Sequence, residues 1–368
     1  MNISFNGCGF MVMYHLGVVE CLRKHGPADL HLKKVAGASS GVIPAVALLC
    51  NISIEKITDH ILKIAELARS RLFGPFRPFA PYMNDLIRQG LEEYLPSDAH
   101  VRVNGKIHIS VTRVYDGGNI ILKNFDSRDE LIQALTCSCY LPFFFGLIPP
   151  KFREVHYMDG GLSNNLFVLD ESTITVSFFS GDSHICPQDK TNPTSIYKIA
   201  NLKVELSWTN AQRLALCMFP PDPETLLKTC QQGFDDARLF LQRNNLVVCN
   251  QCVFSMYPVV SSDLTNIINC LECDILKKML KVGGLSEVVT MTLVSAVTQA
   301  NQGLMNRILQ HPKMRLLTFL SVPYIIPIDV AFGILIRFAE NASTISTVGA
   351  NLKEFVDFIS AFMKRTSY

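Results

Sequence analysis

The stretch Leu32–Cys50 reads LKKVAGASSGVIPAVALLC and changes its character halfway. Leu32 to Ala36 suits a short strand and Val42 to Cys50 an apolar helix, with Gly37-Ala38-Ser39-Ser40-Gly41, a GxSxG turn, between them. In so tight a strand-to-helix turn, the residues two before and two after the serine have no room for side chains. The Ser39 hydroxyl then projects at the positive end of the following helix, where developing negative charge is stabilised. Taken alone the pentapeptide is also an ordinary small-residue turn, and it is the flanking strand and helix that favour the chemical reading. Pro44 falls in the first turns of the helix and is expected to delay or bend its start.

On either side of this stretch the chain has the alternation of an α/β layered domain. Asn2 to Phe5 reads as a strand and Phe10 to Lys24 as a helix, joined by Gly7-Cys8-Gly9. Glycines there let successive backbone N–H groups approach a phosphate or an oxyanion. The dinucleotide version fails because Val12 stands at the third glycine position of GxGxxG and Asp29 precedes the second strand, so the oxyanion version is preferred. Lys106 to Val114 alternates as a half-buried strand, and Asp116-Gly117-Gly118 turns it into Asn119 to Lys123. Asp159-Gly160-Gly161 ends the strand Val155 to Met158, a position from which a carboxylate can take a proton from a serine on a neighbouring strand. Of the nine histidines only His184 and His311 follow Asp159, neither in a recognisable context, and His15 and His156 read as locally bonded. A Ser39–Asp159 dyad is therefore favoured over a triad.

Ser53 caps a helix through Ile54, Ile57, Ile61, Ile64 and Leu67. Thr173 to Phe178 is a strand followed by a loop from Gly181 to Ser195, and Asp222-Pro223-Glu224 starts a helix with Leu226, Leu227, Cys230, Phe234, Ala237 and Leu241 on one face, ending near Asn244-Asn245. Beyond it the composition shifts. Leu316 to Ile336 carries one charge, Asp329, but Pro323 and Pro327 argue against a straight membrane span. A bent, shallowly inserted segment and a packed helix pair both stay open. The tail face Phe355, Val356, Phe358, Ile359, Phe362 and Met363 suits an interfacial helix as well as a core cover.

Composition bounds the function. The chain has 368 residues, 48% hydrophobic and only 18% charged, against about 25% charged in ordinary soluble domains. Its mean hydropathy is +0.23, which excludes a disordered chain and points to a filled core, a membrane-associated part, or both. A net charge of +2 without a long basic run leaves nucleic acid without support. Twelve cysteines with no repeated spacing fit free thiols in a reducing cytosol. Neither Cys137/Cys139 nor Cys249/Cys252 has the companions of a zinc site, so no metal and no cofactor are expected. The N-terminus has no basic region, and residue 2 is not the glycine of a myristoylation signal.

The glycine-rich turn, GxSxG and Asp-Gly-Gly in this order resemble the patatin-like phospholipase family, and in particular its adiponutrin and adipose triglyceride lipase branch. Cys137-Ser138-Cys139-Tyr140-Leu141-Pro142-Phe143, Gly146 to Pro150, Asp159 to Asn165, His184 to Asp189, Phe219 to Pro223 and Phe240 to Asn244 extend the resemblance over residues 1 to about 250. It implies a three-layer α/β/α patatin-like sandwich with a mostly parallel central sheet, plus a mainly helical hydrophobic C-terminal region. The division expected is 1–180 for the catalytic domain, 181–250 for a helical extension of its core, and 251–368 for a hydrophobic lipid-associated region.

The same resemblance implies that Ser39 attacks an acyl ester with Asp159 as its base, and that Gly7, Cys8 and Gly9 supply the oxyanion donors. It implies triacylglycerol hydrolysis with a transacylase side reaction, an acylglycerol substrate, a lipid-droplet or membrane surface, a lipase coactivator as protein partner, and a cytoplasmic, droplet-associated location. A droplet scaffold that sequesters the coactivator, and a phospholipase A-type hydrolase, are the alternatives. Two positions depart from the branch: Ser40 stands where alanine is common and Phe167 where proline is usual. Phe143-Phe144-Phe145 could line an acyl channel, although core packing is the commoner use of such a triplet.

Overall fold

The computed structural model describes residues 1–27, 32–69, 82–142, 145, 148–189, 196–244, 246 and 285–300. Four parallel strands run through its centre in the order β3-β2-β1-β7: β1 is Asn2–Phe5, β2 Lys34–Ala38, β3 Ile107–Arg113 and β7 Thr173–Val176. Three further strands pair antiparallel on the β3 side, β4 (Asn119–Leu122) and β6 (Val155–Asp159) with β3, and β5 (Lys151–Phe152) with β6. The hairpin read at Asp116 is thus present. A separate antiparallel pair, β8 (Ile196–Ile199) and β9 (Leu202–Glu205), stands outside this sheet.

The register on β3 decides where the site forms. Ala38 of β2 pairs with Ser110, and Asp159 of β6 pairs with the next residue, Val111. Since β4 pairs with Ile109 to Thr112, it occupies the other edge, and β2 and β6 follow one another along the same edge. The two strands therefore run toward each other and meet end to end.

Helices cover both faces, since successive residues of β1, of β7 and of β3 as far as Thr112 are all buried. This corrects the half-buried reading of β3. His108, Ser110 and Thr112, expected on a solvent face, lie inside, where Ser110 and Thr112 bond to the segments that carry the site. Around the sheet lie α1 (Val12–His25), α2 (Val42–Cys50), α3 (Ile54–Arg69), α4 (Tyr82–Tyr94), α5 (Ala99–Val103), α6 (Arg128–Cys139), α7 (Trp208–Met218), α8 (Pro223–Arg243) and α9 (Glu287–Ala300).

Local signals act as expected. Ser53 Oγ accepts from Lys56 N–H at the start of α3, and Asp222 caps α8 by accepting from Thr225 N–H at 2.9 Å. Pro44 lies in the first turn of α2, which is entered through the 3-10 turn Ser39–Gly41.

One hydrophobic cluster takes in Ile3 of β1, Phe234 and Leu241 of α8, and Leu285, Val289 and Leu293 at α9. Part of the C-terminal region thus covers the core. The run 316–336, the tail face 355–363, His311, Cys249, Cys252, Phe143 and Phe144 lie outside the described residues. Among the described residues no helix is long and apolar enough to cross a membrane.

Helices α1 and α8 cross in close contact. A Cβ added at Gly233 would stand 2.0 Å from the Tyr14 carbonyl oxygen, and one at Gly17 1.9 Å from that of Cys230. Gly233→Ala must push two backbones apart in a packed core and is expected to cost about 1–3 kcal/mol, measured as a lower urea midpoint at unchanged slope.

Candidate active site

Ser39 follows the last residue of β2, and Asp159 is the last residue of β6, so the end-to-end meeting on β3 puts the two side chains face to face. Ser39 Oγ donates to Asp159 Oδ2 at 2.5 Å, in the range of a hydroxyl bonded to an ionised oxygen. Gly161 N–H donates to the other carboxylate oxygen at 2.7 Å. The main chain of Asp159 is fixed as well, with its N–H on Tyr140 O at 2.7 Å and its carbonyl accepting from Thr112 Oγ1 at 2.7 Å.

Ser39 takes φ +53°, a left-handed conformation that an L-residue adopts only under constraint. Its N–H donates to Ser138 Oγ at 3.0 Å, and Ser138 in turn donates to Ser110 O at 2.7 Å. The flanking glycines are required by space. A Cβ at Gly37 would lie 2.5 Å from the Gly41 carbonyl oxygen, and one at Gly41 2.5 Å from that of Phe5.

Asp159 is only 6% exposed. Burial pushes its carboxyl pKa up to about 6, while the bonds from Ser39 and Gly161 hold it lower than burial alone would. A carboxylate so placed is a better base than a solvated one.

The turn Gly7-Cys8-Gly9 lies beside this pair, with its N–H groups differently engaged. Gly7 N–H donates to Asn165 Oδ1 at 2.8 Å and Cys8 N–H to Ser40 Oγ at 3.0 Å. Gly9, at φ +53°, opens the 3-10 turn Gly9–Met11, and its N–H has no acceptor among the described residues. Burial pushes the Cys8 thiol up to about 12, so it stays protonated at neutral pH.

The histidines bond elsewhere. His15 Nε2 donates to Asn6 O at 2.9 Å, His156 Nδ1 donates to Pro149 O at 2.7 Å, and His184 Nδ1 accepts from Thr175 N–H at 3.1 Å. Among the described residues none bonds to Ser39 or Asp159. Burial lowers His15 to about 4, which keeps it neutral.

A cavity of about 420 Å³ opens at Ser39 and Asp159 and runs between α2, α3 and α4, with Val46, Ile57, Ile61 and Leu91 on its walls. His60 also borders it, with Nε2 donating to Leu86 O at 2.8 Å and the ring edge-on to Tyr94. Phe145, the described member of the aromatic triplet, lines it too. Phe167 instead stacks on His108 with ring centroids 6.4 Å apart. Ser138, Asn165 and Thr112 had no assigned role in the sequence. Only the polar residues of β3, recurring at every second position of a strand that proves buried, could have signalled such a network.

An α/β/α sandwich with a serine on a glycine-flanked strand-to-helix turn, opposite a strand-end aspartate, is the class of protein in hand. The patatin-like phospholipase family model matches residues 3–170. Patatin-like phospholipase domain-containing protein 2 of Rattus norvegicus is 37% identical over 347 residues, covering 92% of this chain and 71% of that protein. 1-acylglycerol-3-phosphate O-acyltransferase Pnpla3 of Mus musculus is 42% identical over 254 residues, covering 68% of this chain and 60% of that protein. Patatin-like phospholipase domain-containing protein 5 of Homo sapiens is 40% identical over 248 residues, covering 67% and 57%. This chain belongs to the patatin-like phospholipase family.

The raised pKa of Asp159 links stability to pH. Relative to an unfolded value of 3.8, a folded value of about 6 means that ionising the buried carboxylate opposes folding. Asp159→Asn is therefore expected to stabilise the protein at pH 7 by on the order of 1–3 kcal/mol, a gain that shrinks as pH falls from 6 and vanishes below about 4, followed by thermal unfolding across that range.

Proposed function

We propose that the chain is an acylglycerol lipase working through a covalent acyl-enzyme at Ser39. The observation that carries this reading is the 2.5 Å bond from Ser39 Oγ to the buried Asp159, at the opening of an apolar cavity. Ser39 Oγ attacks the ester carbonyl carbon as Asp159 Oδ2 takes its proton. The alcohol leaves with that proton, and Asp159 then deprotonates water, which releases the fatty acid and restores Ser39. An acylglycerol hydroxyl in place of water gives transacylation. Relatives named as patatin-like phospholipases and as an O-acyltransferase support both outcomes.

The oxyanion is met by the turn Gly7-Cys8-Gly9. Gly9 N–H has no acceptor among the described residues, Gly7 N–H is engaged by Asn165, and Cys8 N–H is free only once Ser40 Oγ yields. Breaking one neutral hydrogen bond in the reacting complex costs about 0.5–1.5 kcal/mol. Ser40→Ala is thus expected to raise kcat on a soluble short-chain ester by about 2–10-fold with KM little changed; an equal or lower kcat removes this role.

Triacylglycerol at a droplet surface is the substrate this reading favours, with 1–180 and 181–250 forming the catalytic body and 251–368 contributing lipid contact. A cytoplasmic location at droplets and a lipase coactivator belong to the same proposal. A panel of purified triacyl-, diacyl- and monoacylglycerol and phosphatidylcholine, with wild type beside Ser39→Ala and Asp159→Asn, tests it. Both variants should lose about 10³-fold or more of wild-type turnover, with triacylglycerol the preferred class. Preference for phosphatidylcholine makes the enzyme a phospholipase, and turnover retained in either variant rejects the dyad.

A further inference from the structure

Helix α7 is built inside out. Asn210, Arg213 and Cys217, at the spacing of one helix face, point into the protein, and Arg213 is the only charged residue from Ser207 to Phe219. Although only 8% exposed, Arg213 is satisfied by a two-pronged bond to Asp189, Nη1 to Oδ2 at 2.8 Å and Nη2 to Oδ1 at 2.7 Å. Asn210 is satisfied as fully, accepting from Ser180 N–H and donating to the carbonyls of Ser180 and Glu205. The outward face carries Trp208, Ala211, Leu214 and Ala215, with Gln212 the polar member. Trp208, the sole tryptophan of the chain, is 78% exposed, and Leu206, just before the helix, is exposed too.

In water this arrangement is the reverse of what burial favours. An apolar outward face suits an apolar neighbour, and its position says which one. Leu214 and Met218 of α7 line the same cavity that reaches Ser39 and Asp159. The outward face and the cavity wall are thus one continuous apolar surface. A protein seated there would stand over the cavity entrance, whereas a lipid surface would let an acyl chain pass inward without crossing water. Tryptophan, apolar in body with one N–H donor, suits the boundary between acyl chains and headgroups.

We propose that the outward face of α7, with Trp208 at its leading end, is the surface by which the catalytic body docks on a phospholipid-coated acylglycerol particle. The choice of a lipid surface rests on the ester-hydrolase reading above.

The test uses the full chain carrying Ser39→Ala, so that no hydrolysis intervenes, with triolein emulsions coated by dioleoylphosphatidylcholine. Trp208 emission is expected to shift to the blue on adding emulsion, and brominated-acyl phosphatidylcholine in the coat to quench it. Adding Ala211→Glu and Ala215→Glu, which place two charges on the outward face, is expected to lower co-flotation by about tenfold or more while the melting temperature holds. Emission unchanged by lipid, or co-flotation unaffected by the two glutamates, overturns the proposal. So does a Trp208 already shielded from acrylamide without lipid, which would mean that another part of this chain or a second copy covers the face. Failure of the ester-hydrolase reading shows separately, as soluble-ester turnover that survives Ser39→Ala.

Discussion

Two strands that approach from opposite directions along one edge of β3 create the site. With Ala38 opposite Ser110 and Asp159 opposite Val111, there is no residue of slack on the β3 edge between the end of β2 and the end of β6. Side chains on adjacent strands are ordinarily held about 5 Å apart by the ladder. Here the chain turns out of the sheet at both ends, and the hydroxyl and carboxylate close to 2.5 Å. The elbow glycines follow from the same meeting, because a turn crowded against β1 and the first turn of α2 leaves no space for a Cβ at Gly37 or Gly41. Ser110 and Thr112 of β3 brace the two sides, Ser110 through Ser138 to the Ser39 N–H, and Thr112 directly to the Asp159 carbonyl.

This arrangement opposes stability and favours chemistry. Ser39 is held at a positive φ, and Asp159 is ionised in a place where burial raises its pKa to about 6. Both are sustained by a core that runs from β1 to α9. The raised pKa brings the carboxylate near the working range of a general base without a histidine relay. Ser40 is a further tension in the site: its hydroxyl accepts from Cys8 N–H, a donor that the proposed mechanism turns to the oxyanion.

Much of the site was legible because its requirements are local. GxSxG flanked by a strand and a helix, and Asp-Gly-Gly at a strand end, each specify a backbone geometry, and the structure brings Ser39 and Asp159 together. The bonds of Gly7 to Asn165 and of Ser39 to Ser138 were not legible, since nothing in the local sequence of Asn165 or Ser138 marks its side chain as a partner for a distant backbone N–H. The alternation of β3 misled in one respect. Ser and Thr on an inner face pair with neighbouring segments and look like a solvent face in sequence. Helix α7 carries no such local signal, and its one arginine turns inward onto Asp189.

In the proposed mechanism Asp159 is the base that activates Ser39. The most direct measurement is the rate at which a fluorophosphonate labels the intact protein, followed by mass spectrometry with peptide mapping from pH 4.5 to 9. Label on Ser39 alone is expected, at a rate that climbs with pH through a midpoint near 6 and collapses in Asp159→Asn. Label on another residue, or a midpoint and rate that persist in Asp159→Asn, would contradict it.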